Sequence, residues 1–284
     1  MTHAASVSEY LQDGSHNGPR IAHGADRDII ECFNCGFRHV LPLPELVELP
    51  ADDTNPAHLL HATEDQPWLE LAHNDRLEIF EKLLGSSRRR LLDAGKDSGL
   101  FRKTASARGW DAHGIDGDFN TETTKVLGRY DVVMLTGLLQ HAPHPAALLE
   151  LACGLIETDG VLCVSVPNDF SPLQIAARGA LNLDDWWLAA DRLNYFDFDS
   201  LCALLERQNL KVMERTTAFP MEAFLMMGEN YVDDGALGRV CHSKRKRFDM
   251  ALEAAGLKET RRDLYRALAR LGIGREAVAI ARKS

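Results

Sequence analysis

The fold is decided by the stretch Arg90-Leu91-Leu92-Asp93-Ala94-Gly95-Lys96-Asp97-Ser98-Gly99-Leu100-Phe101. Its apolar start predicts a short buried strand, its two glycines predict a turn, and its apolar end predicts the first residues of a helix. In open α/β sheets, a strand that leads through a glycine-bearing turn into a helix is a place where nucleotide-like ligands bind. The stretch therefore predicts a sheet with a ligand crevice at the carboxyl ends of its strands.

Strand and helix patterns alternate along the chain around this stretch. The hydrophobic periodicity predicts helices over 68–84, 100–108, 145–156 and 200–207, and strands over 90–93, 112–116, 131–135, 160–166 and 210–214. Such alternation predicts an α/β fold with a doubly wound, mostly parallel sheet and helices on both faces. Residues 220–272 are predicted to be helical, and 277–281 to form a last edge or antiparallel strand.

Composition and charge exclude several classes of function. The chain has 284 residues and a formal net charge of −10, which argues against nucleic-acid partners because phosphate binding requires a basic face. No apolar run reaches the roughly 20 residues of a membrane span, and the first residues lack the pattern of a secretory signal. With six scattered cysteines, this predicts a cytoplasmic protein without a membrane partner.

A possible metal site lies near the start of the chain. Cys32 and Cys35 have the knuckle spacing that holds one metal ion from a tight turn, and His39, His58 and His61 are further candidate ligands. A Zn²⁺ ion with two thiolates and two imidazoles would be structural, because no coordination position stays open. The alternative is a loop with two free thiols; a redox pair is disfavoured because the pair does not open a helix.

From Arg90 to about residue 219 the chain resembles the class I S-adenosylmethionine-dependent methyltransferases. Five segments carry the resemblance in the family's order: Leu91–Gly99, Gly114-Ile115-Asp116, Tyr130–Leu135 with Leu139–Pro145, Gly160–Asn168, and Asn194-Tyr195-Phe196. The front Cys-x-x-Cys-Gly-Phe-x-His segment resembles a subset of these proteins, and that likeness favours His61 as the fourth zinc ligand beside Cys32, Cys35 and His39.

The resemblance implies a Rossmann-like, class I methyltransferase-like sheet. Only Gly117–Arg129 separate two predicted strands, which is room for a short helix capped by Asn120 but not for a further strand, so we expect the family's third strand to be missing. The predicted organisation is a flexible leader (1–28), a small zinc-knuckle-like metal-binding module (29–66), the Rossmann core (67–219), and a helical insertion before the last strand (220–284).

The resemblance also implies a cofactor, S-adenosylmethionine, and the residues that hold it. Gly95 and Gly99 would pass its methionine part and Asp93 would orient it, while Asp116 would accept both ribose hydroxyls and Asp118 with Phe119 would lie over the adenine. A carboxylate suits the ribose because it accepts two hydrogen bonds at once.

Three residues are expected around a small-molecule acceptor: His141, Tyr195 and Arg192. His141 is a candidate general base, with capping or packing of the following turn as the alternative. Arg192 is a candidate for binding a carboxylate or phosphate of the substrate, with a surface salt bridge as the alternative.

The same crevice departs from the family pattern. Lys96 and Asp97 stand where the family has small residues, and the short Gly117–Arg129 connection removes part of the adenine wall. Two hypotheses follow: an enzyme that transfers a methyl group to a small molecule, or a pseudo-methyltransferase that has lost or altered cofactor binding and serves as a binding or assembly module with a protein partner.

Overall fold

The computed structural model describes residues 10–24, 27–43, 65–85, 89–95, 99–115 and 119–283. These residues form two β-sheets and a set of helices packed on the larger sheet. The strands are β1 (Tyr10–Asp13), β2 (His16–Gly24), β3 (Arg27–Glu31), β4 (Arg38–Leu41), β5 (Arg90–Gly95), β6 (Asp111–Gly114), β7 (Tyr130–Thr136), β8 (Ile156–Pro167), β9 (Asn194–Tyr195), β10 (Leu210–Thr216) and β11 (Glu276–Lys283). The α-helices are α1 (Gln66–Leu84), α2 (Leu100–Ala107), α3 (Thr121–Thr124), α4 (Pro145–Gly154), α5 (Pro172–Leu181), α6 (Phe198–Arg207), α7 (Glu222–Met226), α8 (Gly235–Ala254) and α9 (Lys258–Arg270).

The larger sheet has the strand order β10-β11-β8-β7-β5-β6. Strands β6, β5, β7 and β8 run parallel to one another, and β11 pairs antiparallel with both β8 and β10. In the part of the chain that the structure describes, no strand pairs with the outer edge of β6. The expected mostly parallel sheet without the family's third strand is therefore confirmed, and the short α3, capped by Asn120, occupies the connection.

Both faces of this sheet are covered because its strands are apolar on both sides. In β5, Leu91 packs with α1 and α2 on one face, whereas Leu92 packs with α4 and α6 on the other. The predicted helix ends are also confirmed for α1 and α2, where Gly85 and Gly109 follow the last turns with φ of 71° and 84°.

The smaller sheet has the order β1-β2-β3-β4-β9, and all its pairs are antiparallel. Its last strand, β9, belongs to the chain segment after β8, so the N-terminal module is joined to the core by backbone hydrogen bonds. The structure differs here from the expected flexible leader over 1–28, since residues 10–13 and 16–24 form two of its strands. Most side chains of β2 are only half-buried, and such a strand leaves no apolar periodicity in the sequence.

The predicted helical insertion before the last strand is confirmed and consists of α7, α8 and α9. It is fastened to α1 by ion pairs and hydrogen bonds. Arg262 contacts Asp75 and Glu78, each at 2.7 Å, and the Trp68 indole donates to Asp249 at 2.8 Å. These contacts fix the insertion against the face of the sheet that α1 covers.

The strand-to-turn junction at Gly95 gives a test of the sheet geometry. A Cβ added to Gly95 would come within 2.5 Å of the Thr136 carbonyl oxygen, and that oxygen belongs to a strand held on both sides. We expect Gly95→Ala to destabilise the protein by about 1–3 kcal/mol in urea unfolding, as overpacked sites do. The control is Gly179→Ala in α5, where the added methyl meets no atom and should stabilise the helix by about 1 kcal/mol. Equal stability of Gly95→Ala and wild type would contradict the close β5–β7 approach.

Candidate functional site

The carboxyl ends of the parallel strands lie level with one another and form the edge of a crevice. Gly95 at the end of β5 is in register with Thr136 of β7, and Thr136 is in register with Ser165 of β8. The Gly137 amide then donates to the Ser165 carbonyl at 2.9 Å, which closes the turn after β7. Ligands of open parallel sheets bind at such an edge.

The described cofactor candidates lie along this edge. Gly95 ends β5, and Gly99 has a φ of 78°, a conformation that favours glycine, directly before α2 begins. Asp93 is buried in β5, in register with Met134 and Gly114. Phe119 is partly buried and packs against the core of the larger sheet. The remaining residues of the predicted cofactor site, Lys96, Asp97, Asp116 and Asp118, lie outside the described residues.

Arg102, which the sequence analysis did not single out, also lies at this edge. A Cβ on Gly114 would stand 1.5 Å from the Arg102 Nη1, and a Cβ on Gly99 would stand 3.4 Å from its Nη2. The guanidinium therefore lies between the start of α2 and the end of β6. Gly114 is two residues before Asp116, the predicted ribose ligand, in the sequence.

Two of the three predicted acceptor-side residues meet at the neighbouring part of the edge. His141, in the 3₁₀ turn Leu139–His141 after β7, places its Nδ1 2.7 Å from the Asp191 carbonyl oxygen. Arg192, the next residue, donates from Nη1 to Asp169 Oδ1 at 2.9 Å. His141 and Arg192 are thus brought together by one segment, and the partner of Arg192 is a buried carboxylate.

Tyr195, the third of these residues, is placed differently. Its side chain is 2% exposed and packs with Ile29 and Val40 of the smaller sheet, and its hydroxyl donates to the Ala189 carbonyl at 3.2 Å. In this position the phenol supports the loop that carries Arg192.

Asp169 was missed by the sequence analysis. It follows the carboxyl end of β8 and is 2% exposed, and burial raises its pKa to about 7 although Arg192 lowers it. The sequence could have identified Asp169 as an acidic residue directly after a buried parallel strand. Such positions border the crevice, because ligands of open parallel sheets bind at the carboxyl ends of the strands.

The N-terminal module brings four possible metal ligands together: His16, Cys32, Cys35 and His39. Their ligand atoms all lie within 4.8 Å of one another, and His16 Nδ1 is 3.3 Å from Cys35 Sγ. The β1–β2 hairpin delivers His16, which was not among the predicted ligands. His58 and His61 lie outside the described residues.

The chemistry of this donor set fits a zinc ion. The His39 Nδ1 proton is donated to the Val40 carbonyl at 2.8 Å, which leaves Nε2 as the lone-pair atom; this Nε2 is buried and has no hydrogen-bond partner among the described residues. Burial and the neighbouring Cys32 thiol raise the pKa of Cys35 to about 12. A bound cation would reverse this shift by stabilising the thiolate.

Comparison with known proteins gives the family. Residues 68–215, just over half of the chain, match the family described as "Methyltransferase domain". The chain belongs to this methyltransferase family. The match covers α1, the β5 stretch with its glycines, and the strand ends that form the crevice.

Two solved structures are similar to this methyltransferase. A SAM-dependent methyltransferase from Archaeoglobus fulgidus is 16% identical, with 80% of this chain and 99% of that chain covered and a TM-score of 0.47. The plantazolicin methyltransferase BpumL in complex with SAH is 12% identical, with 83% and 92% covered and a TM-score of 0.44. No curated protein sequence matches the chain. Among the described helices, none has the length and apolar character needed to cross a bilayer.

In this methyltransferase, one strand pair connects the metal-ligand cluster to the crevice. His39 of β4 pairs with Asn194 of β9. The Asn194 side-chain amide donates to the Leu139 and Ala142 carbonyls at 2.8 and 2.7 Å, so it holds both ends of the turn that carries His141. The Asn-Tyr-Phe segment is therefore the connector between the module and the acceptor side.

Removing the Asn194 amide tests this connection. We expect Asn194→Ala to lower the free energy of unfolding by roughly 1–3 kcal/mol, because two buried carbonyls lose their donors. Urea denaturation measures the loss, and chemical shifts of residues 139–142 should change most. Asn230→Ala is the control: its exposed side chain accepts the Val232 amide hydrogen, and its loss should cost less than about 1 kcal/mol. A stability equal to that of the control would contradict the role given to Asn194.

Proposed function

We propose that the chain transfers a methyl group from S-adenosylmethionine to a small-molecule acceptor. The observation that carries this proposal is the family match over residues 68–215, which contains the strand–glycine turn–helix unit at the crevice edge. The level ends of β5, β7 and β8 supply a place for two ligands side by side.

In the proposed cofactor site, Gly95 and Gly99 let the backbone approach the methionine part of the ligand. Helix α2 begins directly after this turn, and the N-terminus of a helix favours a carboxylate. Asp93 orients the ligand, Asp116 accepts the ribose hydroxyls, and Asp118 and Phe119 flank the adenine. Methyl transfer from a sulfonium depends mainly on this positioning. The sulfur becomes neutral as the carbon–sulfur bond breaks, so the transfer needs little help from acids or bases.

His141 and Arg192 border the proposed acceptor site. The Asp191 carbonyl holds the His141 ring, and Asp169 holds the Arg192 guanidinium, so both side chains are oriented before a ligand arrives. Tyr195 stabilises the segment from beneath through its bond to Ala189. Preoriented side chains of this kind lower the entropy cost of binding.

A pseudo-methyltransferase is the second candidate, and one observation favours it. Lys96 and Asp97 stand in the glycine turn, where the family has small residues. Cations next to a sulfonium ligand weaken its binding unless acidic residues neutralise them. In this case the module and the core would serve to bind a protein partner.

Calorimetric titration with S-adenosylmethionine and S-adenosylhomocysteine separates these candidates. We expect micromolar binding, and a loss of roughly 100-fold in Asp116→Ala, because hydrogen bonds to a charged group contribute about 1.5–3 kcal/mol each. Asp111→Ala is the control: this exposed residue lies on the opposite end of β6 and contacts Arg90 and His113. No heat of binding for either ligand at millimolar concentration would favour the pseudo-methyltransferase.

We further propose that the module binds one structural Zn²⁺ through Cys32, Cys35, His39 and His16. The support is the convergence of these four ligand atoms and the open Nε2 of His39. A closed set of four ligands leaves no position for substrate, so the ion would hold the module together and take no part in the reaction.

The fourth ligand is tested by metal analysis. We expect one zinc ion per chain, a cobalt-substituted form with the absorption of a tetrahedral thiolate site, and loss of the metal from His16→Ala at a chelator concentration that leaves the wild type loaded. His61→Ala serves as the matched control and should keep the metal. Loss of the metal from His61→Ala, with retention in His16→Ala, would identify His61 as the fourth ligand. A wild-type protein without zinc would mean that Cys32 and Cys35 are free thiols.

A further inference from the structure

Two buried carboxyl groups at the acceptor edge each keep one oxygen open. Asp169 is 2% exposed and Glu222 is 4% exposed. One oxygen of each is occupied: Asp169 Oδ1 accepts from Arg192 at 2.9 Å and Glu222 Oε1 accepts from Gln174 at 3.4 Å. Asp169 Oδ2 and Glu222 Oε2 are buried without a hydrogen-bond partner among the described residues. A buried polar atom without a partner costs free energy, so a donor is expected at both.

Both groups belong to one site. Gln174, the partner of Glu222, also accepts the Ser171 amide hydrogen at 3.1 Å, and Ser171 is two residues after Asp169. On the other side, Asp169 is joined through Arg192 to the loop residue whose carbonyl contacts His141. The two open oxygens therefore lie between the exit of β8, the first turn of α5 and the start of α7.

Arginines and acids are both concentrated around the site, but none of the described donors reaches the two open oxygens. Arg192 and Arg275 face Asp169, and Arg275 and Arg245 face Glu222, so three arginines accompany the two acids. Glu276 and Asp249, which both face Arg245, add two negative charges, and Tyr231 faces Glu222 as well. None of these side chains has a hydrogen bond to either open oxygen in the described ranges.

We propose that Asp169 and Glu222 bind the amine nitrogen of the acceptor, so that this chain is an N-methyltransferase acting on a small amine; the inference rests on the proposed function. An ammonium group carries three N–H donors and no acceptor, which suits a site with two acceptor oxygens that lack donors. A hydroxyl has a single hydrogen and would leave one carboxylate oxygen unsatisfied. A carboxylate ligand would bring further acceptors to a site that already has too many.

Asp169 also accepts the proton that the amine must lose. Burial raises the pKa of Asp169 to about 7, so the carboxylate can be protonated near neutral pH. The N–H bond of the ammonium breaks and an O–H bond forms on Asp169 Oδ2, which leaves the nitrogen lone pair free. That pair forms the bond to the methyl carbon as the carbon–sulfur bond breaks with its electrons on sulfur, and Asp169 later releases its proton to water.

The test uses three probes of the same size: benzylamine, benzyl alcohol and benzoate. A ring is included because Phe170 follows Asp169 in the chain and packs edge-on against Trp187, with ring centroids 5.4 Å apart. Each probe is titrated into the full chain with saturating S-adenosylhomocysteine, and binding is followed by ligand-observed NMR. We expect benzylamine to bind roughly 10-fold or more tightly than the other two, and Asp169→Asn or Glu222→Gln to remove this preference.

Asp184→Asn is the matched control because it removes an exposed carboxylate from the same segment and should leave the preference intact. Thermal unfolding establishes that each variant is folded. If Asp169→Asn does not fold, Glu222→Gln carries the test alone. Equal binding of the three probes, no binding of any at 10 mM, or an unchanged preference in both variants would each overturn the proposal. Failure of the proposed function is separate: it is absent S-adenosylhomocysteine binding before any probe is added.

Discussion

The antiparallel pairing of β4 with β9 is the interaction on which the site depends. It is two residues long, with Arg38 opposite Tyr195 and His39 opposite Asn194, yet it extends the small sheet into the core of the large domain. Around it, Arg38 pairs with Asp197 at 2.6 Å, and Phe37 packs against Phe196 with centroids 4.9 Å apart. Each contact alone is modest, but together they fix the register, because a slip by one residue would turn every side chain to the opposite face.

This pairing explains why a metal-ligand cluster remote from the cofactor crevice belongs to the same functional unit. His39 lies in β4, Asn194 lies opposite, and the Asn194 amide holds the turn that positions His141. If the metal-ligand cluster lost its ordered structure, we would expect the pairing of β4 with β9 to weaken. The Asn194 hydrogen bonds that hold the turn would then weaken as well. The module therefore supports the turn that carries His141 through β9 and the Asn194 amide.

The sequence predicted the core sheet well because its strands are buried on both faces and appear as continuous apolar runs, as in β7 and β8. It failed for β1 and β2, whose half-buried residues have no such pattern.

His16 was missed because it lies far from Cys32 in sequence and only the hairpin brings it near. Asp169 was missed because a single acid after a strand looks like any surface turn until its burial is known. Tyr195 and Asn194 carried a family-like pattern, but their contacts with the small sheet depend on long-range pairing, which local periodicity does not encode.

The buried carboxyl groups bear on the choice between an enzyme and a scaffold. Asp169 and Glu222 lose hydration in the folded state, and their partners satisfy only one oxygen each. Apolar side chains of similar volume at these positions would give a more stable protein, because desolvation of a charge is rarely recovered in full. A chain that only holds a partner at its surface gains nothing from this cost. A chain that binds a small ligand at the strand ends gains donors for both open oxygens when the ligand arrives, which favours a ligand-binding crevice over a purely structural sheet.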